Sequence, residues 1–190
     1  METQYNGTEV LRAGEKIGGC KEDFLAFYPL SYNQRDLWLI YQMAPESVAY
    51  NIYSTVQITS ALDVEVWQQT WQKIVDRHAI LRTTYTNRDN RPIQVIHPHH
   101  KVKLEVTDTS TWSEKELKEQ ILRQVRQPFD LKNGPVLRIY LFKRSVQDYI
   151  QLLTMHEIAG EMRSINILLS ELQRLYAVEV GILNSKSSRG

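Results

Sequence analysis

The sequence predicts an α/β domain of the α+β type, in which a mixed β-sheet carries helices packed on one face. Residues 50–58 alternate apolar and polar side chains with a period of two, which is typical of a half-buried strand. Residues 63–77 then change to the helical period. Residues 136–143 and 148–156 are rich in branched and aromatic side chains and are separated by a short polar stretch, so we expect them to pair as a hairpin. Helices and hairpin-like strand pairs that alternate irregularly indicate a mixed sheet.

The segment after the first strand is expected to form a helix that begins at Asp63. The Asp63 carboxylate is a suitable N-cap, because it can accept hydrogen bonds from the free N–H groups of the first turn. The side chains that follow form one largely apolar stripe up to about Arg77, made of Trp67, Thr70, Trp71, Ile74 and Val75. We interpret Trp67 and Trp71, together with Trp38, as core residues.

Further elements follow the first helix. Short strands are predicted for residues 81–86, 92–96 and 102–106, with a turn at residues 87–90 between the first two. A capping box of Ser113 and Glu116 then predicts a helix before the apolar residues Leu117, Ile121, Leu122 and Val125. The last helix is predicted near Ser164 and has one apolar face, formed by Ile165, Leu168, Leu169, Leu172, Leu175 and Tyr176.

Length and composition fit one core-forming domain. The chain has 190 residues, of which 42% are hydrophobic and 24% charged. Its formal net charge of +1 gives no electrostatic case for binding nucleic acid or an anionic membrane. We expect a flexible leader or docking extension at residues 1–24, the folded lobe at residues 25–181 and a tail or linker at residues 182–190.

The cysteine content predicts a cytoplasmic protein. Cys20 is the single cysteine, so it cannot form an internal disulfide. A secretory signal pattern and an apolar run of transmembrane length are also missing from the sequence.

Four sequence blocks carry a resemblance to a known family. The most informative is M-H-E-I-A-G-E-M-R-S at residues 155–164. The others are L-S-Y-N-Q-R-D-L-W at 30–38, R-H-A-I-L-R-T-T-Y at 77–85 and F-D-L-K-N-G-P-V-L-R at 129–138. In this order they resemble the motifs of the condensation domains of nonribosomal peptide synthetases, which belong to the chloramphenicol acetyltransferase-like superfamily. The resemblance covers the first of the two lobes of such a domain and implies one acetyltransferase-like lobe.

The catalytic block is degenerate. The resemblance aligns residues 155–164 with the family pattern M-H-H-x-x-x-D-G-x-S, in which the second histidine is implicated in acyl transfer. Glu157 stands at that histidine, Glu161 at the aspartate and Met162 at the glycine, whereas His156 matches the first, mainly structural histidine. Shifting the alignment by one residue places Gly160 at the acid. If position 162 required a positive φ, Met162 would add a steric cost there.

Glu157 is a poor replacement for an imidazole base. An exposed glutamate is too weak a base near neutral pH, so burial or a nearby like charge such as Glu161 would have to raise its pKa. Motif residues Arg77, His78, Arg82 and Asp130 match scaffold positions of the family and are interpreted as structural. The run from His97 to Lys101 lacks a cysteine or carboxylate at ligand spacing, so it is predicted to be a loop and not a metal site.

The leading hypothesis is a noncatalytic condensation-like half domain of a nonribosomal peptide or hybrid polyketide assembly line. It would dock or recruit a carrier domain, a neighbouring synthase domain or a tailoring enzyme. The resemblance implies no bound cofactor, because any acyl substrate would arrive on the phosphopantetheine of a partner carrier. A face normally covered by the second lobe would be exposed, which predicts a partner chain or a homo-oligomer.

Two alternatives stay open. The first is an acyltransferase that completes its site at a subunit interface, as single-lobe chloramphenicol acetyltransferases do, with Glu157 as the base. The second takes the 190 residues as a piece of a longer domain.

Overall fold

The structure is a computed structural model that describes residues 25–181. The predicted leader and tail, and with them Cys20, lie outside the described residues. Within residues 25–181 the elements follow in the order β1 (Ala26–Pro29), α1 (Tyr32–Met43), β2 (Asn51–Ile58), α2 (Val64–Arg77), β3 (Thr83–Arg88), β4 (Arg91–Ile96), β5 (Leu104–Asp108), α3 (Glu114–Val125), β6 (Leu137–Ser145), β7 (Asp148–His156) and α4 (Met162–Glu179).

The strands form two sheets. One has three strands in the order β1-β4-β3, and the other has four strands in the order β2-β7-β6-β5. In the larger sheet β5 and β6 are parallel, whereas β2–β7 and β6–β7 are antiparallel. The predicted hairpin of β6 and β7 is therefore confirmed, and so is the mixed character of the sheet.

Helices cover both faces of the four-stranded sheet. The main core lies between this sheet and α2 and α4, and contains Ile139, Leu141, Leu153 and Met155. The neighbouring strand positions point to the other face, where Tyr140, Phe142 and Leu152 pack with Leu117 of α3. The predicted fold class is confirmed, with the difference that α3 adds a helix to the face that was expected to be bare.

The predicted caps and turn occur where the sequence places them. The Asp63 carboxylate accepts from the N–H groups of Glu65 and Val66, and the capping box of Ser113 and Glu116 is complete. The β3–β4 turn has positive φ at Asp89 (50°) and Asn90 (60°), as two-residue hairpin turns of this kind require. The third short strand begins two residues later than predicted, at Leu104.

Candidate active site

The degenerate motif lies on the connection from β7 to α4. β7 ends at His156, a 3₁₀ turn occupies Glu157–Ala159, and α4 starts at Met162. The prediction that this block forms a strand-to-helix connection is therefore confirmed. The connection begins beside β2, because the N–H of Glu157 donates to the carbonyl of Tyr50 at 2.9 Å.

His156 is enclosed by the fold. The residue is 4% exposed, and its ring lies edge-on to Phe129 with 6.1 Å between the ring centroids. Nδ1 accepts the N–H of Ile158 at 3.1 Å and so caps the 3₁₀ turn. Burial lowers the pKa of His156 to about 4, because the charged imidazolium is poorly solvated there. The imidazole therefore stays neutral at physiological pH and serves as a backbone cap.

Glu157 occupies the first position of the 3₁₀ turn and is partly buried. The turn is held in place through the carbonyl of the next residue, Ile158. That oxygen accepts from Nε2 of Gln34 on α1 at 3.4 Å and from the hydroxyl of Tyr85 at 3.3 Å. The first and second sequence blocks, at residues 30–38 and 77–85, thus meet at the turn of the catalytic block.

Gly160 allows the chain to pass close to the start of α4. A Cβ atom built on Gly160 would lie 2.8 Å from Oγ and 2.9 Å from Cβ of Ser164. Contacts this short are too close for packed atoms, so the loop needs a residue without a side chain here. Met162, by contrast, is the first residue of α4 and has no positive φ, so the steric cost considered for that position does not arise.

Glu161 lies on the surface at the start of α4. Its side chain is exposed, and its backbone N–H donates to Oγ of Ser164 at 3.3 Å. The carbonyl of Glu161 accepts the N–H of Ser164 at 2.8 Å. Glu161 therefore takes part in helix initiation through its backbone.

The block at residues 129–138 supports His156 from the side. The guanidinium of Arg138 lies 4.0 Å from the centroid of the Phe129 ring, which in turn contacts His156. Asp130 closes a tight turn, because its carboxylate accepts from the N–H of Lys132 at 3.0 Å and from Nδ2 of Asn133 at 2.6 Å. The hydrogen bond from the Asn133 side chain is the main cause that lowers the pKa of Asp130.

Arg77 and His78 join α2 to α4 through a buried carboxylate. Glu171 is 5% exposed, its Oε1 lies 2.7 Å from Nη1 of Arg77, and its Oε2 lies 2.6 Å from Nε2 of His78. Arg82 lies elsewhere and donates to the carbonyl of His97. Neither pair reaches the turn at Glu157–Ala159 in these contacts, which agrees with a scaffold role.

Sequence reasoning missed two buried polar residues, Gln151 and Glu171. Oε1 of Gln151 accepts from the indole nitrogens of Trp67 at 2.7 Å and of Trp71 at 3.1 Å. Gln151 interrupts an otherwise apolar strand, and Glu171 lies within the apolar stripe of the last helix. A polar residue at a core position is the signal that could have identified both.

An exposed apolar stripe runs along α1. Tyr32, Leu39 and Met43 are 85%, 58% and 79% exposed. Their spacing of seven and four residues places them on one helix face. The opposite face of α1 carries Trp38, which is buried, and Gln34, which contacts the 3₁₀ turn. The stripe thus lies on the helix that holds the degenerate motif.

The residues from His97 to Lys101 form a loop, as predicted. Nε2 of His97 lies 2.8 Å from Oγ1 of Thr84, and Nδ1 of His99 lies 3.1 Å from a carboxylate oxygen of Asp76. Across residues 25–181, His, Cys, Asp and Glu side chains do not gather in groups of three or more that could hold a metal ion. The helices in this part of the chain also lack the combination of length and hydrophobicity that a membrane span needs.

Comparison with family models gives one match, the Condensation domain, over residues 25–183. One of the linear gramicidin synthases of Brevibacillus parabrevis is 36% identical over 152 residues, which are 78% of this chain and 2% of that protein. Chondramide synthase cmdD from Chondromyces crocatus is 34% identical over 152 residues, 78% of this chain and 4% of that protein. The chain therefore spans only a small part of the length of these relatives.

Solved structures share the fold. The starter condensation domain of the rhizomide synthetase RzmA superposes with a TM-score of 0.76 at 21% identity, covering 82% of this chain and 38% of that one. Holo-AB3403, a four-domain nonribosomal peptide synthetase bound to AMP and glycine, gives a TM-score of 0.75 at 19% identity, covering 83% of this chain and 12% of that one. The lobe architecture predicted from the four sequence blocks is thereby confirmed.

Proposed function

Because the chain belongs to the condensation-domain family, we propose that it is a noncatalytic condensation-like half domain of a nonribosomal peptide or hybrid polyketide assembly line. In this role it docks or recruits a carrier domain, a neighbouring synthase domain or a tailoring enzyme. The observation that carries the proposal is the state of the imidazole at the motif. Glu157 replaces the histidine implicated in acyl transfer, and His156 is buried with Nδ1 already engaged.

His156 does not compensate for the missing base. General-base catalysis is most effective when the pKa of the base lies near the working pH. Burial lowers the pKa of His156 to about 4. Any proton taken up by the ring at Nδ1 would also break the cap on Ile158. The lobe keeps the shape of the catalytic loop and lacks a group suited to its chemistry.

The stripe of Tyr32, Leu39 and Met43 supports the docking role. Three large apolar side chains exposed on one face of a helix are typical of an association surface. Gln34 on the same helix contacts the turn of the motif. A partner that covers the stripe would therefore lie next to the degenerate site, where a carrier-bound intermediate would be presented.

A binding titration tests this role. The purified chain is titrated with the carrier and tailoring proteins of the same assembly line, using wild type, Leu39→Asp and Val146→Asp. Val146 is 70% exposed in the β6–β7 turn and provides a matched surface control. We expect saturable binding by wild type, at least a tenfold loss of affinity in Leu39→Asp and no loss in Val146→Asp. Absence of binding, or equal binding by all three, would contradict the docking role.

The alternative function is an acyltransferase whose site is completed at a subunit interface. It is favoured by the position of Glu157, which is partly buried at the motif turn where the family places the transfer histidine. In that case a carboxylate would act as the base, and acyl transfer or thioester hydrolysis would disappear in Glu157→Gln. An oligomer with Glu157 in its interface cleft is the structural counterpart of this alternative.

A further inference from the structure

The four-stranded sheet has two edges of different character. β5 forms one edge, is five residues long, and carries Glu105 and Asp108 with Lys103 just before it. β2 forms the other edge and has eight residues, N-I-Y-S-T-V-Q-I, with neither a charge nor a proline. Charged side chains and prolines are the usual protection of sheet edges against pairing with another chain. The β5 edge has this protection and the β2 edge lacks it.

The backbone of β2 presents hydrogen-bonding groups on this edge. The Glu157 N–H donates to the Tyr50 carbonyl, and β2 and β7 pair without a register shift. In an antiparallel pair the direction of the backbone groups alternates, so the even-numbered residues from 50 to 58 point towards β7. The N–H and C=O groups of Tyr53, Thr55 and Gln57 therefore point outward. Within residues 25–181, no strand pairs with this edge.

We propose that the outer edge of β2 is a self-association site, where β2 of a second copy of this chain pairs antiparallel and joins two sheets. A two-fold axis at Thr55 pairs the three outward residues with one another. Thr55 then faces Thr55 of the partner subunit, and Tyr53 faces Gln57 of the partner subunit. On the other side of the sheet Ile52 faces Ile58 of the partner subunit. This register opposes apolar to apolar and polar to polar side chains without placing like charges together.

The second copy fits this edge because the arrangement is self-complementary and closed. Each copy provides the one uncharged edge of its four-stranded sheet, and the charged β5 edges remain at the outside. The dimer therefore has no reason to extend into a fibre. The inference does not depend on the proposed carrier docking, because α1 and β2 are different surfaces.

Sedimentation of the full 190-residue chain measures the association. Wild type is compared with Thr55→Lys, which brings two like charges together at the two-fold axis, and with Val146→Lys as the exposed control. We expect a dimer for wild type and Val146→Lys, and at least a tenfold weaker dimer for Thr55→Lys. Circular dichroism verifies that Thr55→Lys is folded. A monomeric wild type, or a dimer unaffected by a folded Thr55→Lys, would overturn the proposal.

Cross-linking tests the register independently. In a Cys20→Ser background, Thr55→Cys places two thiols opposite each other, with Cα atoms about 5.5 Å apart in a hydrogen-bonded antiparallel pair. In Gln57→Cys the two thiols are four residues out of register, roughly 13 Å apart at the rise of a strand. Mild oxidation should give a covalent dimer for Thr55→Cys and none for Gln57→Cys. Equal cross-linking of both variants would overturn the register. Carrier titration with Thr55→Lys should show unchanged affinity, which separates this surface from α1.

Discussion

At the scale of the residue, His156 shows how a motif can lose its chemistry and keep its structure. Its ring fills the space beside Phe129, and Nδ1 caps the N–H of Ile158. Both contacts favour the neutral imidazole, because a protonated Nδ1 cannot accept a hydrogen bond and a buried charge is poorly solvated. The same features that make His156 a good structural residue make it a poor base.

This state of His156 predicts that acid destabilises the fold. The pKa of His156 is about 4 in the folded protein and near its ordinary 6.5 when unfolded, so the unfolded state takes up the proton first as the pH falls. The contribution is complete above pH 6.5 and is lost as the pH falls towards 4. The shift corresponds to a loss on the order of 3 kcal/mol in the free energy of unfolding.

Denaturant unfolding between pH 7 and 4 measures this loss in wild type and His156→Asn. The asparagine oxygen can accept the Ile158 N–H and does not titrate. His97 and His100 also have pKa values lowered by burial, so a residual slope is expected in the variant. An equally steep slope in His156→Asn would show that His156 does not cause the effect.

Gly160 provides a second prediction at this scale. Gly160→Ala should lower the free energy of unfolding by about 1–3 kcal/mol, because the new methyl group overlaps Ser164. The same change in a Ser164→Gly background should cost less, since the overlapping atoms are gone. Thermal or denaturant unfolding of the four proteins gives the coupling energy. Additive effects would argue against the overlap as the cause.

Some of these residue roles follow from sequence and others do not. The Asp63 cap and the Ser113–Glu116 capping box are local, so short-range spacing was sufficient to predict them. The requirement for Gly160 depends on how closely the loop approaches Ser164, which is a property of the folded chain. The family pattern placed the critical glycine at position 162, and the structure instead needs it at 160.

At the scale of the element, α2 and α4 are joined by two ion-pair sites in different surroundings. Glu171 is buried between Arg77 and His78, whereas the pair of Lys73 and Glu179, with 2.5 Å between Nζ and Oε1, is largely exposed. A buried carboxylate without partners is costly, whereas an exposed ion pair contributes about 0–1 kcal/mol. The two sites therefore form a matched comparison within one helix pair.

Removing the partners of Glu171 should destabilise the protein strongly. We expect Arg77→Met/His78→Leu to cost about 3–5 kcal/mol, because it leaves the buried carboxylate uncompensated. Adding Glu171→Leu should recover much of that loss, since an apolar side chain suits the buried position. Lys73→Met, the control, should cost less than about 1 kcal/mol. Denaturant unfolding measures all four, and a triple variant no more stable than the double would contradict this account.

The sequence predicts elements better than it predicts their arrangement. The helical stripe of residues 63–77 and the hairpin of β6 and β7 occur as expected, because periodicity and short connections define them. The division into two sheets and the place of α3 depend on long-range packing. The alternation in β6 buries both of its faces, which a stretch of apolar residues does not distinguish from burial on one face.

At the scale of the whole molecule, the chain combines a family scaffold with two surfaces suited to association. The α1 stripe lies beside the degenerate motif, and the β2 edge lies on the four-stranded sheet. The central claim is that this lobe binds a partner without transferring an acyl group.

Thioester turnover on an acyl-loaded carrier protein, followed by mass spectrometry in the same samples as a binding titration, tests the central claim most directly. Wild type and Glu157→Gln are compared with carrier alone. The account predicts saturable binding by both proteins and thioester loss no faster than in the carrier control. Turnover by wild type that disappears in Glu157→Gln would contradict it and would identify a carboxylate-based acyltransferase.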